Sequence, residues 1–335
     1  MFLGGDLGGT KTLLALAEIN AGGLEIIHER RFVSADYPSF DALLGEFLDG
    51  FQIQARAIDT ACFGLAGPTD GQKAQLTYLP WQLNAEALRR RFDIGQVTLA
   101  NDFAAAANGL SVINPAHIQS LYAGEPLAQA PRVILGAGTG LGVAGLIWEN
   151  SRYRVIPGEG GHLGFSPQTA EQGELWRWLL AQHGRVTIES VVSGPGLARI
   201  YAFLGGRPQH LEKCPAAPQA ETIGQAALNG SDPLAKQALD LWLSCYGAFA
   251  GDLALLWLAH GGVYLAGGMV AKLLPHVDRT PFVEAFLNKH EHARLVKNMP
   301  IYWLTAEDLG LRGALALAAA RNDGFPDGLK LFPTA

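Results

Sequence analysis

The sequence predicts an α/β protein of two domains, a small α/β domain and a larger α+β domain with a cleft between them. Three observations predict it. The chain opens with a strand, a glycine turn and two further strands, and that order returns about 130 residues later, which suggests an internal duplication. In both copies a strand follows the glycines directly, so neither is a parallel βαβ unit, whose strands need a crossover between them. The second half is rich in helical periodicity.

In chain order, Phe2–Asp6 reads as a strand, Gly8-Gly9 as a turn, and Lys11–Ala17 and Leu24–Phe32 as the next strands. Tyr37-Pro38-Ser39 opens a helix to about Phe51, with Phe40, Leu43, Leu44, Phe47 and Leu48 at helical spacing. Thr60–Leu65 and Val97–Ala100 are apolar strands, and the second runs into a helix from Asn101-Asp102 to Leu110. The pattern restarts with strand Arg132–Leu135, turn Gly136–Gly142, and strands Val143–Trp148 and Tyr153–Ile156. Helices follow over Glu171–Gln182, Gly194–Leu204 and Pro233–Ala259. Strand Val263–Ala266 leads through Gly267-Gly268 into another helix. Ile301–Leu304 is a late strand and Leu309–Arg321 a small-residue helix.

Composition narrows the function classes. The chain has 335 residues, 49% apolar and 17% charged, which is an ordinary core-forming balance. A net charge of −6 without a dense Lys/Arg cluster argues against nucleic acid or an anionic membrane as partner. Cys62, Cys214 and Cys245 form no C-x-x-C pair, so neither a zinc ribbon nor a disulfide framework is indicated. The N-terminus lacks a basic segment followed by a long apolar stretch, so no signal peptide is expected. Apolar runs such as Leu253–Ala259 and Ala314–Ala320 are too short to span a bilayer, and the expected location is cytoplasmic.

The glycine segments point to phosphate. Phosphates are held by converging backbone N–H groups, and glycine lets the backbone approach closely. Gly4–Lys11 and Gly136–Gly142 both fit, and Thr10 and Thr139 each add a hydroxyl donor. A Walker A loop requires glycine before the lysine, where Thr10 stands. A dinucleotide fingerprint begun at Gly136 meets Leu141 at its last position. Either loop alone could be a tight hairpin; the pair favours phosphate held between domains. A carboxylate beside phosphate needs a cation between them, so Asp6 reads as a partner of Mg²⁺ through water, or else as a turn cap.

A set of polar residues accompanies the loops. Asn101-Asp102 closes a strand and opens a helix, where a carboxylate stays ionised; locally it reads as an N-cap. Glu159 and His162 lie in Pro157–Gly164, a glycine-rich loop whose entropy favours a functional role. Glu189 precedes Ser193-Gly194-Pro195-Gly196 and reads equally as a solvated helix-end residue or a ligand. Together these donors and acceptors suit a ring of sugar hydroxyls. No H-x-x-x-H or carboxylate-rich helix supports a transition metal.

These segments resemble the bacterial glucokinase family of the hexokinase/actin-like ATPase superfamily. The matches are Gly5–Thr10, Leu99–Phe103, Gly136–Gly142, Pro157–His162, Ser193–Leu197 and Leu265–Gly268, in the family's order. The resemblance implies a two-domain ribonuclease-H-like/actin-like ATPase fold. Its domains would be 1–110 plus 309–323 and 111–308, with 324–335 as a C-terminal extension. It implies ATP-dependent phosphorylation of glucose at the 6-hydroxyl, with Mg²⁺, in a homodimer. Asp102 resembles the general base, and Asn101, Asp102, Glu159, His162 and Glu189 the glucose ligands. Asp6, Gly8, Gly9 and Thr10 resemble one phosphate motif and Gly138, Thr139 and Gly140 the other, with Gly267 and Gly268 at the adenosine. Lys11 and Leu14 stand where many glucokinases carry Asn and Arg, as in a related repressor/kinase family, whose zinc-binding cysteine cluster is absent here. Trp81 reads as a buried structural residue or as one approaching the sugar.

Mechanistically the expectation is closure of the domains on sugar, since water carries the same nucleophilic group. The alternatives are a kinase for mannose, fructose or an N-acetylated sugar, and an actin-like ATPase, which leaves Glu159 and His162 without a purpose. A sugar-responsive repressor would need a DNA-binding segment before Gly4.

Overall fold

The five strands of the first sheet run in the order β3-β2-β1-β4-β7. They are β1 (Phe2–Leu7), β2 (Lys11–Asn20), β3 (Gly23–Val33), β4 (Thr60–Leu65) and β7 (Gln96–Asn101). Strands β1, β2 and β3 are antiparallel neighbours, while β4 lies parallel to β1, and β7 parallel to β4. The structure is a computed structural model that describes residues 1–20, 23–51, 58–67, 69–76, 79–206 and 219–320. Contacts divide the chain into one unit of Met1–His117, Glu149–Val155 and Ala306–Ala335, and another of Ile118–Trp148 and Ile156–Thr305. Cys214, Thr77, Tyr78, and the expected segments 321–323 and 324–335 lie outside the described residues.

The first sheet is apolar on both faces because alternate residues point to opposite sides. Leu3, Leu7, Leu14 and Leu16 pack with Phe63 against helix α1 (Phe40–Gly50), whose Phe40, Leu43, Leu44 and Phe47 are buried as their spacing predicts. Ser39 caps that helix, its Oγ accepting the Ala42 N–H at 3.3 Å. A short hairpin, β5 (Lys73–Gln75) and β6 (Gln82–Asn84), leads into α2 (Ala85–Arg91), and β7 continues directly into α3 (Asp102–Gly109). Trp81 is buried in the same core, its Nε1–H donating to Tyr37 O at 3.3 Å, which is the structural of its two readings.

The six-stranded second sheet repeats the plan. Its strands are β8 (Ile118–Tyr122), β9 (Arg132–Ala137), β10 (Leu141–Glu149), β11 (Arg152–Gly158), β12 (Val263–Ala266) and β13 (Ile301–Leu304), of which residues 149 and 152–155 are grouped with the first unit and the rest with the second. The order is β11-β10-β9-β12-β13-β8. Setting aside the edge strand β8, this is the first sheet's order again: an antiparallel hairpin at β9 and β10, then two parallel strands on the other side of β9. The helices are α4 (Ala170–His183), α5 (Gly194–Leu204), α6 (Ala220–Leu228), α7 (Pro233–Trp257), α8 (Gly268–Leu273), α9 (Thr280–Leu287) and α10 (Ala293–Lys297). By length and composition α7 could cross a membrane, contrary to the expectation that every apolar run is too short. Yet 72% of its apolar window is buried inside the protein, with Trp242 and Tyr246 in the core of this unit.

The last helix, α11 (Leu309–Ala320), belongs to the first unit. Its Leu311, Leu315, Ala318 and Ala319 cover the second face of the first sheet, with Phe2, Leu13, Ala15 and Ala17. Thr60 Oγ1 donates to Ala318 O at 2.6 Å and pins the contact. Helices α3 and α11 pack so closely that a Cβ on Gly109 or Gly313 would run into the backbone of Leu309 or Ala105. Small residues are what this crossing requires, and it fixes the helix that begins at Asp102.

Candidate active site

Asp6 is the penultimate residue of β1, between Leu13 of β2 and Gly64 of β4. The turn that follows is tight, with the Gly8 N–H donating to Lys11 O at 2.9 Å. Gly4 and Gly5, expected in the first strand and also counted in the phosphate segment, are buried within β1. A Cβ at Gly4 would meet Leu315 at 2.6 Å, and one at Gly5 would meet Phe63 at 2.7 Å. These two glycines serve packing, and Gly8 and Gly9 form the turn. Burial, and next the charge of Asp102, push the Asp6 carboxyl up to about 6, against a smaller downward pull from Lys11.

The neighbouring helix brings Asp102 to that corner. Asn101 is the N-cap of α3, and its Oδ1 accepts from the Phe103 and Ala104 N–H groups at 3.0 Å each. Asp102 Oδ1 accepts the Phe103 N–H at 2.7 Å. A carboxylate at a helix N-terminus is stabilised as the anion. Two glycines clear the space, and local sequence reasoning gives neither of them a role. A Cβ on Gly64 would lie 3.0 Å from Ala105 Cβ and 3.7 Å from Asp102 Cα, and one on Gly310 would lie 2.8 Å from Asp6 Oδ2.

In the second unit Gly138-Thr139-Gly140 forms the tip of the β9–β10 hairpin, closed by the Gly138 N–H to Gly140 O at 2.9 Å. Gly136 and Gly142, expected in this loop, lie within the paired strands. The first turn of α5 docks on the tip, its Gly194 N–H donating to Gly138 O at 2.8 Å. Ser193 caps α5 by accepting the Gly196 N–H at 3.0 Å. Gly267 stands before α8 at φ 96°, and a Cβ there would strike the Ala137 backbone. Gly267 and Gly268 therefore lie beside the hairpin. A Cβ on Gly138 would meet nothing within 4 Å, so the space over the tip is open. Thr139 is exposed there.

Glu159, His162 and Glu189 lie in the same unit and share backbone. Gly160–His162 form one 3-10 turn, with the His162 N–H donating to Glu159 O at 3.0 Å, and both side chains are exposed. Gly160 and Gly161 let this turn lie on β10, because a Cβ at either would collide with Val143 or Leu141. Glu189 joins the turn to the hairpin. Its N–H donates to Gly161 O at 3.0 Å, and its Oε2 accepts the Leu141 N–H at 2.8 Å. The half-buried, bonded carboxylate departs from the solvated helix-end reading.

The site residues thus fall into two sets, Asp6, Gly8, Gly9, Thr10, Asn101 and Asp102 in one unit and the remainder in the other. Ser34, absent from any motif, also touches the first turn, its Oγ donating to Gly8 O at 2.8 Å.

A family model described as Glucokinase matches residues 3–321. The glucokinase of Nostoc sp. strain PCC 7120 is 39% identical over 341 residues, covering 96% of this chain and 99% of that protein. That of Trichormus variabilis is 38% identical over 341 residues, covering 96% and 99%. A crystal structure of a glucokinase from an Antarctic psychrotroph matches with a TM-score of 0.82 at 27% identity, over 95% of this chain and 98% of that one. The chain belongs to the glucokinase family.

Proposed function

We propose that this chain transfers the γ-phosphoryl group of ATP to the 6-hydroxyl of glucose, with Asp102 as general base. The observation that carries the reading is the repeated hairpin-and-parallel-strand plan with a glycine turn on each copy, the second open at Gly138. One copy adds a helix-capped carboxylate and the other a Glu159, His162 and Glu189 set. In the reaction Asp102 takes the 6-hydroxyl proton, the sugar oxygen bonds to the γ-phosphorus, and the bond to the β,γ-bridging oxygen breaks to release ADP. Asp102 stands in the first turn of its helix, where a carboxylate anion is favoured. Asn101, Glu159, His162 and Glu189 hold the other hydroxyls. The N–H groups of Gly9 and Gly140, with the Thr10 and Thr139 hydroxyls, take up phosphate charge, the Gly8 and Gly138 N–H groups close the two turns that present them, and Gly267-Gly268 leaves room for the adenosine. Water has the same nucleophilic group, so transfer requires that both sets of residues engage the sugar.

Asp6 fits a divalent cation. Its carboxyl faces the charge of Asp102 with Lys11 the opposing cation, and a further positive charge relieves that crowding. Asp6 would hold Mg²⁺ through water, and the ion would supply positive charge against the phosphates. A homodimer in the cytoplasm completes the proposal, on the family resemblance. The test is coupled ADP release from MgATP with glucose, mannose, fructose, N-acetylglucosamine and no sugar. Release confined to glucose supports the reading; equal release without sugar makes the protein an ATPase.

A further inference from the structure

We propose that Thr12 and Ser34 form a buried hydroxyl relay that sets the first glycine hairpin for phosphoryl transfer, with Ser34 as a positioning residue. The inference rests on the phosphate reading of that hairpin. Ser34 opens a 3-10 turn, Ser34–Asp36, directly after β3, and both hydroxyl residues are closed off from solvent. Ser34 reaches both sides of the turn. Its N–H donates to Thr10 O at 3.1 Å and its Oγ to Gly8 O at 2.8 Å. A hydroxyl carries one proton. Having given it to Gly8, Ser34 Oγ can only accept from Thr12 Oγ1, 3.0 Å away. The relay therefore runs from Thr12 through Ser34 to the Gly8 carbonyl.

This direction has a consequence for the opposite side of the turn. A trans peptide points its N–H away from its C=O, and the described backbone contains no cis bond. With the Gly8 carbonyl held on Ser34, the Gly9 N–H faces the other way, as a donor to an anion must. Adjacent glycines left alone sample many conformations. Fixing one of them before the nucleotide arrives lowers the ordering cost of binding and keeps the donor aimed where charge develops. Two buried hydroxyls at this corner need partners to offset their desolvation. Valine and alanine would fill similar space with no such need, so the hydroxyls are explained by the carbonyl they hold.

The test uses the full-length protein. Ser34→Ala is expected to lower kcat/KM for MgATP about ten- to a hundredfold, leaving KM for glucose within about twofold and Tm within a few degrees. Thr12→Val keeps the shape without the donor and should give a smaller loss of the same kind. Thr12→Ser should recover at least half of it. In ligand-free protein, hydrogen exchange at the amides of residues 8 and 34, which hold Lys11 O and Thr10 O, should quicken in Ser34→Ala while the β1 and β4 amides stay protected. That arm needs no catalysis, so it judges the relay even if glucose is not the substrate. Unchanged exchange at the amides of residues 8 and 34 overturns the relay. So does an equal loss toward both substrates with a large fall in Tm.

Discussion

The Glu189 carboxylate accepts the Leu141 N–H at 2.8 Å, tying a residue beside the Glu159–His162 turn to the second glycine hairpin across 48 positions of sequence. The two segments are thus joined by a side-chain hydrogen bond as well as by the packing of Gly160 and Gly161 on β10. The anionic oxygen of Glu189 makes the bond stronger than a neutral one.

Glu189→Gln keeps an acceptor for Leu141 and removes the charge, so kcat/KM for glucose should fall by about tenfold with KM for MgATP little changed. Glu189→Ala also frees the hairpin. It should raise both KM values, with a combined loss of about a hundredfold, the scale of a lost charged hydrogen bond. Initial rates with each substrate varied in turn distinguish the two patterns.

Asp102→Ala should lower kcat by about a hundredfold or more, the range of general-base catalysis, and change glucose affinity far less. Asp102→Asn, which retains an acceptor for Phe103 N–H, should keep the wild-type Tm and lose the same rate. A variant that retains most of its kcat removes Asp102 from the chemistry.

Asp6 makes stability depend on pH in a defined direction. Its carboxyl titrates near 6 in the fold against 3.8 for a free side chain, so the folded state resists ionising it. The penalty is absent below the unfolded value, grows as pH rises between the two, and is complete above 6. At about 1.4 kcal/mol per unit it approaches ~3 kcal/mol, less because the side chain is partly exposed. In EDTA, Asp6→Asn should therefore melt a few degrees above the wild type at pH 8, and the gap should close by pH 4. Activity should fall sharply in the same variant. Thermal unfolding across pH, with rates alongside, checks both.

Two glycine substitutions should separate packing from chemistry. Gly313→Ala puts a methyl into the Ala105 backbone, so it should destabilise by about 2–4 kcal/mol and displace the helix that carries Asp102. Gly138→Ala meets open space and should be near neutral in denaturant melts while raising KM for MgATP severalfold or more. Equal melting losses would contradict the assignment of the open tip to phosphate.

Much of the fold and site was legible because the signals are local. Glycines between apolar strands marked both hairpins, and Asn101-Asp102 announced the start of α3 through its own capping. The glycine runs were read too broadly, since Gly4, Gly5, Gly136 and Gly142 are strand residues, of which Gly4 and Gly5 make way for neighbours far away in sequence. Gly64, Gly310 and Ser34 left no local trace, because their roles exist only once other elements pack against them. The edge strand β8 escaped notice because Ile118–Tyr122 is short and only partly buried, with no clean alternation. The short hairpin β5–β6 and helices α2, α6, α9 and α10 span three to nine residues each, too few for a periodic pattern to stand out.

The central claim is transfer to a sugar oxygen, and the measurement that tests it most directly is a product balance by ³¹P NMR on wild-type protein with MgATP and glucose. The account predicts glucose 6-phosphate equal to ADP, with almost no free phosphate and no turnover of 6-deoxyglucose. Free phosphate equal to ADP, formed at the same rate with glucose, with 6-deoxyglucose or with no sugar, would contradict it.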